Sequence, residues 1–557
     1  MASTERLNNS REQGGDGAHR RGSLTRAVGY IAGLGLFAAP AAAYYGVSHA
    51  EVDDYLGAND TVFSVTTNGK SELDFGPLGA MTVPIHKGTF GLRAEIKGIE
   101  VAPDNPSNVS TLFSDKTLAS YANLYGEPDQ AIAGIQDLLV EDAIKKSLTA
   151  EGIALAGIIL IVGSGRVLIR EDMKQKFTLT PLVTGGLLAV EAAVFASIVA
   201  APPTDSVESQ NVIRSLDGTF FEGSSTQNEP LNTILDRVIP SMRNLGKRQN
   251  SFLKEYQAAS QESFNAQKNL VASPRQNEDV IMTFSDLHCS YAMIPLLKDV
   301  ADLYKPQVVV SAGDDTDFGS ALEKGCIEKE KTITNPSIIV VAGGNHDSKT
   351  TEKQMTDVGM KLLKGKTITV KNTSILGDDD PEITPPLTSG YRVFEDEEES
   401  ENDFGVRILE QALKDQPDII ALHQPDAIRP ILDHIKNGDS SSRLTSLLLN
   451  GHLHERDGPN VIWNQDGTWT LQYQMGTAGG KGTATLTSFS TPFSKPLKTG
   501  ETTIFFKDKD SRLITGYQIL LFETDGTVTI MPRVDVGSAD GQPIATTQGP
   551  VENKAIQ

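Results

Sequence analysis

The sequence predicts an α/β chain: a layered domain of alternating strands and helices in its C-terminal half, preceded by three apolar helices and a small β-rich segment. Three observations predict it. From Asp279 onward, short runs of Ile, Val and Leu alternate with helical patterns. Ahead of that point lie three long stretches almost free of charge. Between the first two of these sits a strand–turn–strand pattern around Asn68-Gly69.

Residues 1–26 form a polar tail carrying Arg6, Arg11, Arg20, Arg21 and Arg26, and 27–48 is an uncharged stretch long enough to span a bilayer. Residues 148–165 and 178–201 are two further apolar stretches with one Glu each; the short loop between them, 166–177, carries Arg166, Arg170, Lys174 and Lys176. Buried helices of a soluble domain are the alternative reading. Basic flanks lie on the cytoplasmic side by the positive-inside rule. The expectation is therefore a multi-pass protein of the cell membrane, with the N-terminus and 166–177 cytoplasmic and both 49–147 and everything after Pro202 extracytoplasmic. A cleaved signal peptide ending near Ala41-Ala42-Ala43 would leave the large domain on the same side. Gly29 and Gly33 form a small-xxx-small pair for close helix approach. Glu191, mid-span, is a functional candidate by position, or else a neutral carboxyl hydrogen-bonded within a three-helix bundle.

Within 49–147, runs at 61–67 and 71–75 flank Asn68-Gly69 and read as a hairpin, with further strands at 80–85 and 92–99. The connecting region 202–278 holds strand-like pieces near 211–221 and an amphipathic helical stretch from Leu231 to Asn269.

Charge narrows the partners. The 557 residues hold 72 Asp+Glu against 50 Lys+Arg, a net charge of −22. Polyanion binding rests on Lys and Arg neutralising phosphates, so no nucleic acid is expected as a stable partner. The two cysteines exclude a disulfide framework or a structural zinc cluster and allow one bridge.

The domain from 279 to 537 carries the chemistry. Runs at 280–285, 308–312, 337–342, 418–423 and 444–450 read as buried strands, and 292–304 and 404–414 as helices. Each strand gives way to polar residues: Asp286 and His288 after the first, Gly313-Asp314 after the second and Gly344-Asn345-His346-Asp347 after the third. The fourth ends in His423, and the fifth leads to His452 and His454. Imidazole and carboxylate ligands suit Mn, Fe or Zn, and a carboxylate bridges two ions. Two ions about 3.5–4 Å apart clamp a phosphoryl group and generate hydroxide near neutral pH. In Asp286-x-His288 and His452-x-His454, alternate residues of an extended segment would reach one site.

In this order the motifs D-x-H, GD, GNHD, H and GHxH resemble the calcineurin-like metallophosphoesterase superfamily, over about residues 279–478. The resemblance implies a layered β-sandwich core flanked by helices, a phosphoester substrate and two divalent or trivalent transition-metal ions (Mn, Fe or Zn). It implies that Asp286, His288 and His454 hold one ion and Asn345, His423 and His452 the other, with Asp314 bridging. It further implies that His346 contacts the phosphate and protonates the leaving oxygen, with Asp347 orienting that imidazole. The arrangement of spans and domain also resembles membrane-anchored bacterial members of the superfamily. Gly313-Asp314 continues as Asp315-Thr316-Asp317, more acidic than the family's commoner residues, and reads as a solvated loop.

Cys289 and Cys326 fall in loops at the metal-bearing edge, where a disulfide is permitted outside the cytoplasm; two buried thiols are the alternative. The runs 378–380 and 395–399 read as solvated acidic loops without a metal. Stretches at 503–506, 515–522 and 527–531 would complete the sheets, the last two as a hairpin at Asp525-Gly526. Residues 538–557 read as a mobile tail. The expected activity is a membrane-anchored, extracytoplasmic, dinuclear metal-dependent hydrolase of phosphomono- or phosphodiesters, acting through hydroxide held on the metals. The competing reading is a non-catalytic metal-binding receptor or scaffold on the same fold.

Overall fold

A computed structural model of the chain describes residues 38–56, 59–84, 86–87, 90–97, 128–168, 211–217, 221–384, 393–394, 399–437, 443–480 and 498–537. The chain divides into two compact units: 1–53, 62–95 and 136–229 in the first, and 54–61, 96–135 and 230–557 in the second.

An eight-stranded sheet is built from β1 (Glu51–Leu56), β2 (Asn59–Thr66), β3 (Ser71–Asp74), β4 (Ala80–Val83), β5 (His86–Lys87), β6 (Phe90–Ile96), β7 (Asn211–Val212) and β8 (Ser225–Thr226). Its order is β1-β2-β6-β3-β4-β8-β7, with β5 on β6. The hairpin expected at Asn68-Gly69 is therefore not formed. β6 enters between β2 and β3 and runs parallel to β3, pairing Leu73 with Ala94. Asn68 instead makes a local turn, its Oδ1 accepting from the Lys70 N–H at 3.0 Å, with Gly69 at φ +73°. Gly91 allows the insertion, since a Cβ there would lie 2.2 Å from the Lys70 carbonyl oxygen.

Among the described residues no helix is long and apolar enough to cross a membrane, so the expected three transmembrane helices find no support there. The stretch 178–201 with Glu191, and residues 27–37 with Gly29 and Gly33, lie outside the described residues, as does the tail 538–557. The remaining stretch, 148–165, runs within one helix, α1 (Pro128–Leu168). Helical residues 38–48 approach it closely at Gly46, where a Cβ would lie 2.3 Å from the Ala143 carbonyl oxygen.

The second unit holds two sheets. The first orders β12 (Lys361–Leu362), β11 (Ile339–Val341), β10 (Val308–Ser311), β9 (Glu278–Phe284), β21 (Gly500–Asp508), β22 (Ile514–Phe522) and β23 (Val528–Ile530), with β24 (Val534–Asp535) on β22. The second orders β13 (Ile368–Val370), β14 (Thr373–Gly377), β17 (Ile419–Ala421), β18 (Leu447–Asn450), β20 (Trp469–Gln474) and β19 (Asp457–Trp463). A short pair, β15 (Glu382–Ile383) and β16 (Val393–Phe394), stands apart. The five motif-bearing strands are split, three to one sheet and two to the other, in keeping with a layered β-sandwich core. Within each sheet they run parallel, Val309 pairing with Met282 and Ile339, and Ile420 with Leu448.

Strand alternation sorts the side chains into layers. Ile281, Val310, Ile419, Ala421, Leu447, Leu449, Tyr473 and Phe505 pack between the sheets. Val280, Met282, Phe284 and Val309 face the other way, against α3 (Ile294–Tyr304) and against Tyr256 and Phe264 of α2 (Glu229–Gln267). Ile420 and Leu448 turn outward onto α5 (Glu401–Asp415) and α6 (Pro425–Asn437). α2 also protects the open edge of β23: Ser263 Oγ and Gln267 Oε1 accept from the N–H groups of Val528 and Ile530. The C-terminal strands complete the first sheet as expected, with β21 antiparallel to β9 and β22 to β23, the turn between the last two using Gly526 at φ +90°.

Candidate metal centre

Parallel strands within a sheet end at a common edge, and the loops after β9, β10 and β11 of one sheet and after β17 and β18 of the other converge. The backbone there is not extended. Asp286, His288, Asp314, His452 and His454 have φ of +56°, +47°, +56°, +73° and +53°. The expectation that D-x-H and H-x-H act as extended segments is thereby corrected: left-handed turns, uncommon outside glycine, bring Asp286 and His288 into one donor set and deliver His454 to that set and His452 to a second. Two glycines make room. A Cβ on Gly344 would lie 2.3 Å from Asp314 Oδ1, and one on Gly313, at φ +97°, 2.7 Å from Gly344.

Two donor sets result. Asp286, His288, Asp314 and His454 offer ligand atoms within 4.8 Å of one another, and so do Asp314, His423 and His452; Asp314 belongs to both. His288 Nε2 lies 3.1 Å from His454 Nε2, and His454 Nε2 lies 3.1 Å from Asp286 Oδ1. On the other side, His423 Nε2 stands 3.2 Å from Asp314 Oδ2, and His452 Nδ1 stands 3.0 Å from Asn345 Oδ1. Ring nitrogens crowding one another and shared carboxylates are what a cation would relieve. Buried Asp286 Oδ1 moreover has no hydrogen-bond partner beyond that His454 imidazole contact. The residues fit a metal ion in each set.

Hydrogen bonds aim these ligands. His423 Nδ1 lies 2.8 Å from the Ala312 carbonyl oxygen, leaving Nε2 to face Asp314. Asn345 Nδ2 donates to Thr384 Oγ1 at 2.7 Å, which turns its oxygen inward. Thr384 carries no motif and lies 39 residues along the chain from Asn345, so no sequence signal marked it.

Charge follows burial and neighbours. Burial alone would raise Asp314, but the imidazoles of His423, His346 and His288 hold its carboxyl well below the usual range. Burial would depress His423, yet Asp314 keeps it well above its ordinary value. His288 is lowered by burial, and His452 falls to about 4 through burial and then the neighbouring His423.

His346 is half-buried at the rim, its ring 5.1 Å from that of His288. Its orientation comes from an unexpected source. Nδ1 lies 2.9 Å from the Asp317 backbone carbonyl oxygen, whereas the Asp347 carboxylate is occupied by Gly344 N–H at 2.9 Å and Thr316 Oγ1 at 2.8 Å. Asp347 therefore ties two site loops together, and the expected Asp347–His346 contact is replaced by Asp317. The Asp317 side chain also reaches His288, Oδ1 to Nδ1 at 3.5 Å.

Of the acidic segments, 315–317 is buried and 378–380 half-buried, rather than solvated. Asp315, Thr316 and Asp317 are at most 4% exposed, and burial with the neighbouring Asp347 pushes the Asp315 carboxyl well up. In the run 378–380, Asp378 pairs with Arg407 and Asp379 with Lys364. Asp380, raised to about 6 by burial, accepts from Gln424 Nε2 at 3.3 Å. Residues 395–398 lie outside the described residues. Cys289 and Cys326 form a disulfide with Cα atoms 5.3 Å apart. Cys326 stands not in a loop but in α4 (Lys324–Glu330), so the bridge ties the Asp286–Cys289 turn to a helix.

Residues 280–456 match the family described as calcineurin-like phosphoesterase. No curated protein matches the chain. Among solved structures, an archaeal phosphodiesterase is 14% identical, with 43% of this chain and 99% of that one covered and a TM-score of 0.25. A phosphatase of Mycoplasma pneumoniae is 10% identical, covering 45% and 95%, with a TM-score of 0.30. A metallophosphoesterase of Sphaerobacter thermophilus is 12% identical, covering 46% and 89%, with a TM-score of 0.19. The assignment rests on the family match: this chain carries a calcineurin-like phosphoesterase domain and is a metal-dependent phosphoester hydrolase.

Proposed function

We propose, on the premise that residues 280–456 are a calcineurin-like phosphoesterase domain, that this chain hydrolyses phosphomono- or phosphodiesters at a two-ion centre outside a cell membrane to which it is anchored. The observation that carries the reading is Asp314, a buried carboxylate shared by two converging sets of imidazoles and carboxylates. Asp286, His288 and His454 would hold one ion, and Asn345, His423 and His452 the other. Ions there would polarise a phosphoryl oxygen and lower the pKa of a bound water. The chain's own contribution is placement. The Ala312 carbonyl aims His423 at Asp314, Thr384 aims the Asn345 oxygen, and the Asp317 carbonyl holds Nδ1 of His346, which leaves Nε2 for the substrate. From the rim, that nitrogen would contact the phosphate and pass a proton to the leaving oxygen.

The anchored, extracytoplasmic placement draws on the uncharged stretch 27–48, the apolar stretches 148–165 and 178–201, and their basic flanks. The Cys289–Cys326 bridge agrees with an oxidising compartment. The test is hydrolysis of bis-p-nitrophenyl phosphate and p-nitrophenyl phosphate by the full chain with Mn, Fe or Zn, beside Asp314→Asn and His346→Ala. Metal-dependent turnover lost in both variants supports the reading. Metal binding without turnover on either ester, or on a wider phosphoester panel, would move the assignment to a receptor or scaffold.

A further inference from the structure

The loop from Asp317 to Ala321 borders the metal centre, and its Asp317 meets both His288 and His346. Inside the phosphoesterase domain it is held by Glu323, whose carboxylate accepts from the N–H groups of Asp317, Phe318 and Ser320 at 2.7, 3.1 and 3.0 Å. Gln354 donates to the Ala321 carbonyl at 3.1 Å, and Ser348 Oγ donates to the Gly319 carbonyl.

Further contacts come from residues far upstream of that domain but within the same compact unit. Asp54 Oδ2 accepts from the Ala321 N–H at 2.9 Å, and the Tyr55 carbonyl accepts from Ser320 Oγ at 2.9 Å. Helix α1 presses on the same point: a Cβ at Gly134 would lie 1.9 Å from the Ala321 carbonyl oxygen. A bare glycine and a half-buried carboxylate thus converge on Ala321, a few residues along the chain from Asp317.

We propose that Asp54 and Gly134 are positioning residues for the hydrolytic centre: outside the phosphoesterase domain, they fix the Ser320–Ala321 segment and so hold Asp317 where it aims His288 and His346. The role of His346 in turnover belongs to the function proposed above; the fixing of the loop does not depend on it. The excised domain, beginning near Asp279, would lack both residues.

The test uses the full chain and the variants Asp54→Ala, Asp54→Asn and Gly134→Val, with melting temperature as a control for folding. Asparagine keeps an oxygen that accepts from Ala321, so it separates the hydrogen bond from a general structural role. The first readout is amide hydrogen exchange in the peptide covering 317–322, which needs no turnover. Exchange should quicken in Asp54→Ala and Gly134→Val and stay at the parent rate in Asp54→Asn. The second is kcat and KM for bis-p-nitrophenyl phosphate with Mn: kcat should fall about tenfold in the first two variants, with KM within about twofold and Asp54→Asn restored. Parent-like exchange in Asp54→Ala and Gly134→Val overturns the inference, as does equal loss in Asp54→Ala and Asp54→Asn. A parent chain that hydrolyses no ester would sink the proposed function, and the exchange readout would still decide this inference.

Discussion

Asp418→Ala is expected to destabilise the phosphoesterase domain by about 3–5 kcal/mol, the range for removing one partner of a buried ion pair. Asp418 is 1% exposed and stands just before β17, the strand that leads to His423. Its Oδ2 lies 3.0 Å from Lys507 Nζ and accepts from the Ser374 N–H at 2.9 Å, and its Oδ1 lies 2.6 Å from Arg512 Nε. The Arg512 contact counts for less, since that side chain is 41% exposed and screened. Lys507 decides the magnitude: it is fully buried, and removal of the carboxylate leaves its ammonium leaning on the Asn372 carbonyl. Burial already depresses the Lys507 ammonium even with Asp418 beside it, so deprotonation would cap the loss near the lower end.

For a domain of this size, 3–5 kcal/mol corresponds to a fall in melting temperature of about 6–20 °C, read by calorimetry or circular dichroism. Asp418→Asn, which keeps hydrogen bonding but not charge, should lose about half as much. Asp418→Leu combined with Lys507→Met should recover most of the stability, since no charge is left stranded. A melting temperature for Asp418→Ala within about 2 °C of the parent would refute the reasoning.

Asp314→Asn should lower bound metal, measured by elemental analysis, in both donor sets at once and reduce turnover by about a hundredfold or more. His346→Ala should leave metal content unchanged while kcat falls by about 10²–10⁴, more for esters with poor leaving groups than for p-nitrophenyl esters. Glu278 supplies a pH signature. Burial alone would raise its carboxyl, but hydrogen bonds from Arg533, Arg275 N–H and Thr515 bring it from 4.5 to about 2. A depressed carboxyl stabilises the fold above its unfolded pKa, so this stability is lost as pH falls from about 4.5 to about 2, and Glu278→Gln should flatten that part of the acid unfolding curve. Chelation should lower the melting temperature reversibly, by up to about 3 kcal/mol of stability per site at a hundredfold excess of metal over its dissociation constant; no shift would argue against resident ions.

Much of the domain is legible in the sequence. Short apolar runs with polar termini mark β9, β10, β11, β17 and β18 within a few residues, because a strand buried on both faces must be apolar throughout. The identity of the clustered residues is equally readable: imidazoles and carboxylates follow strand after strand, and the two sheets bring them together. Local signals fail where a distant segment intervenes. Asn68-Gly69 does turn the chain, yet β6 displaces the hairpin partner, since which strand pairs with which is settled by the whole sheet.

The acidic residues show the same division more sharply. Composition marks Asp315, Asp317 and Asp380 as solvated, and a sequence window carries no information about what covers them. Folding places Ser311 and the loop of Asp347 over the first, His288 over the second and Gln424 over the third. The sequence by itself determined the metal-ligand chemistry and the strand–helix alternation, both of which depend on residue type and near neighbours. Only the tertiary structure decided the split into two sheets, the left-handed turns that make Asp286 and His288 converge, and the replacement of Asp347 by Asp317 behind His346. Each of these is a choice among partners far apart along the chain, and such choices are made by packing.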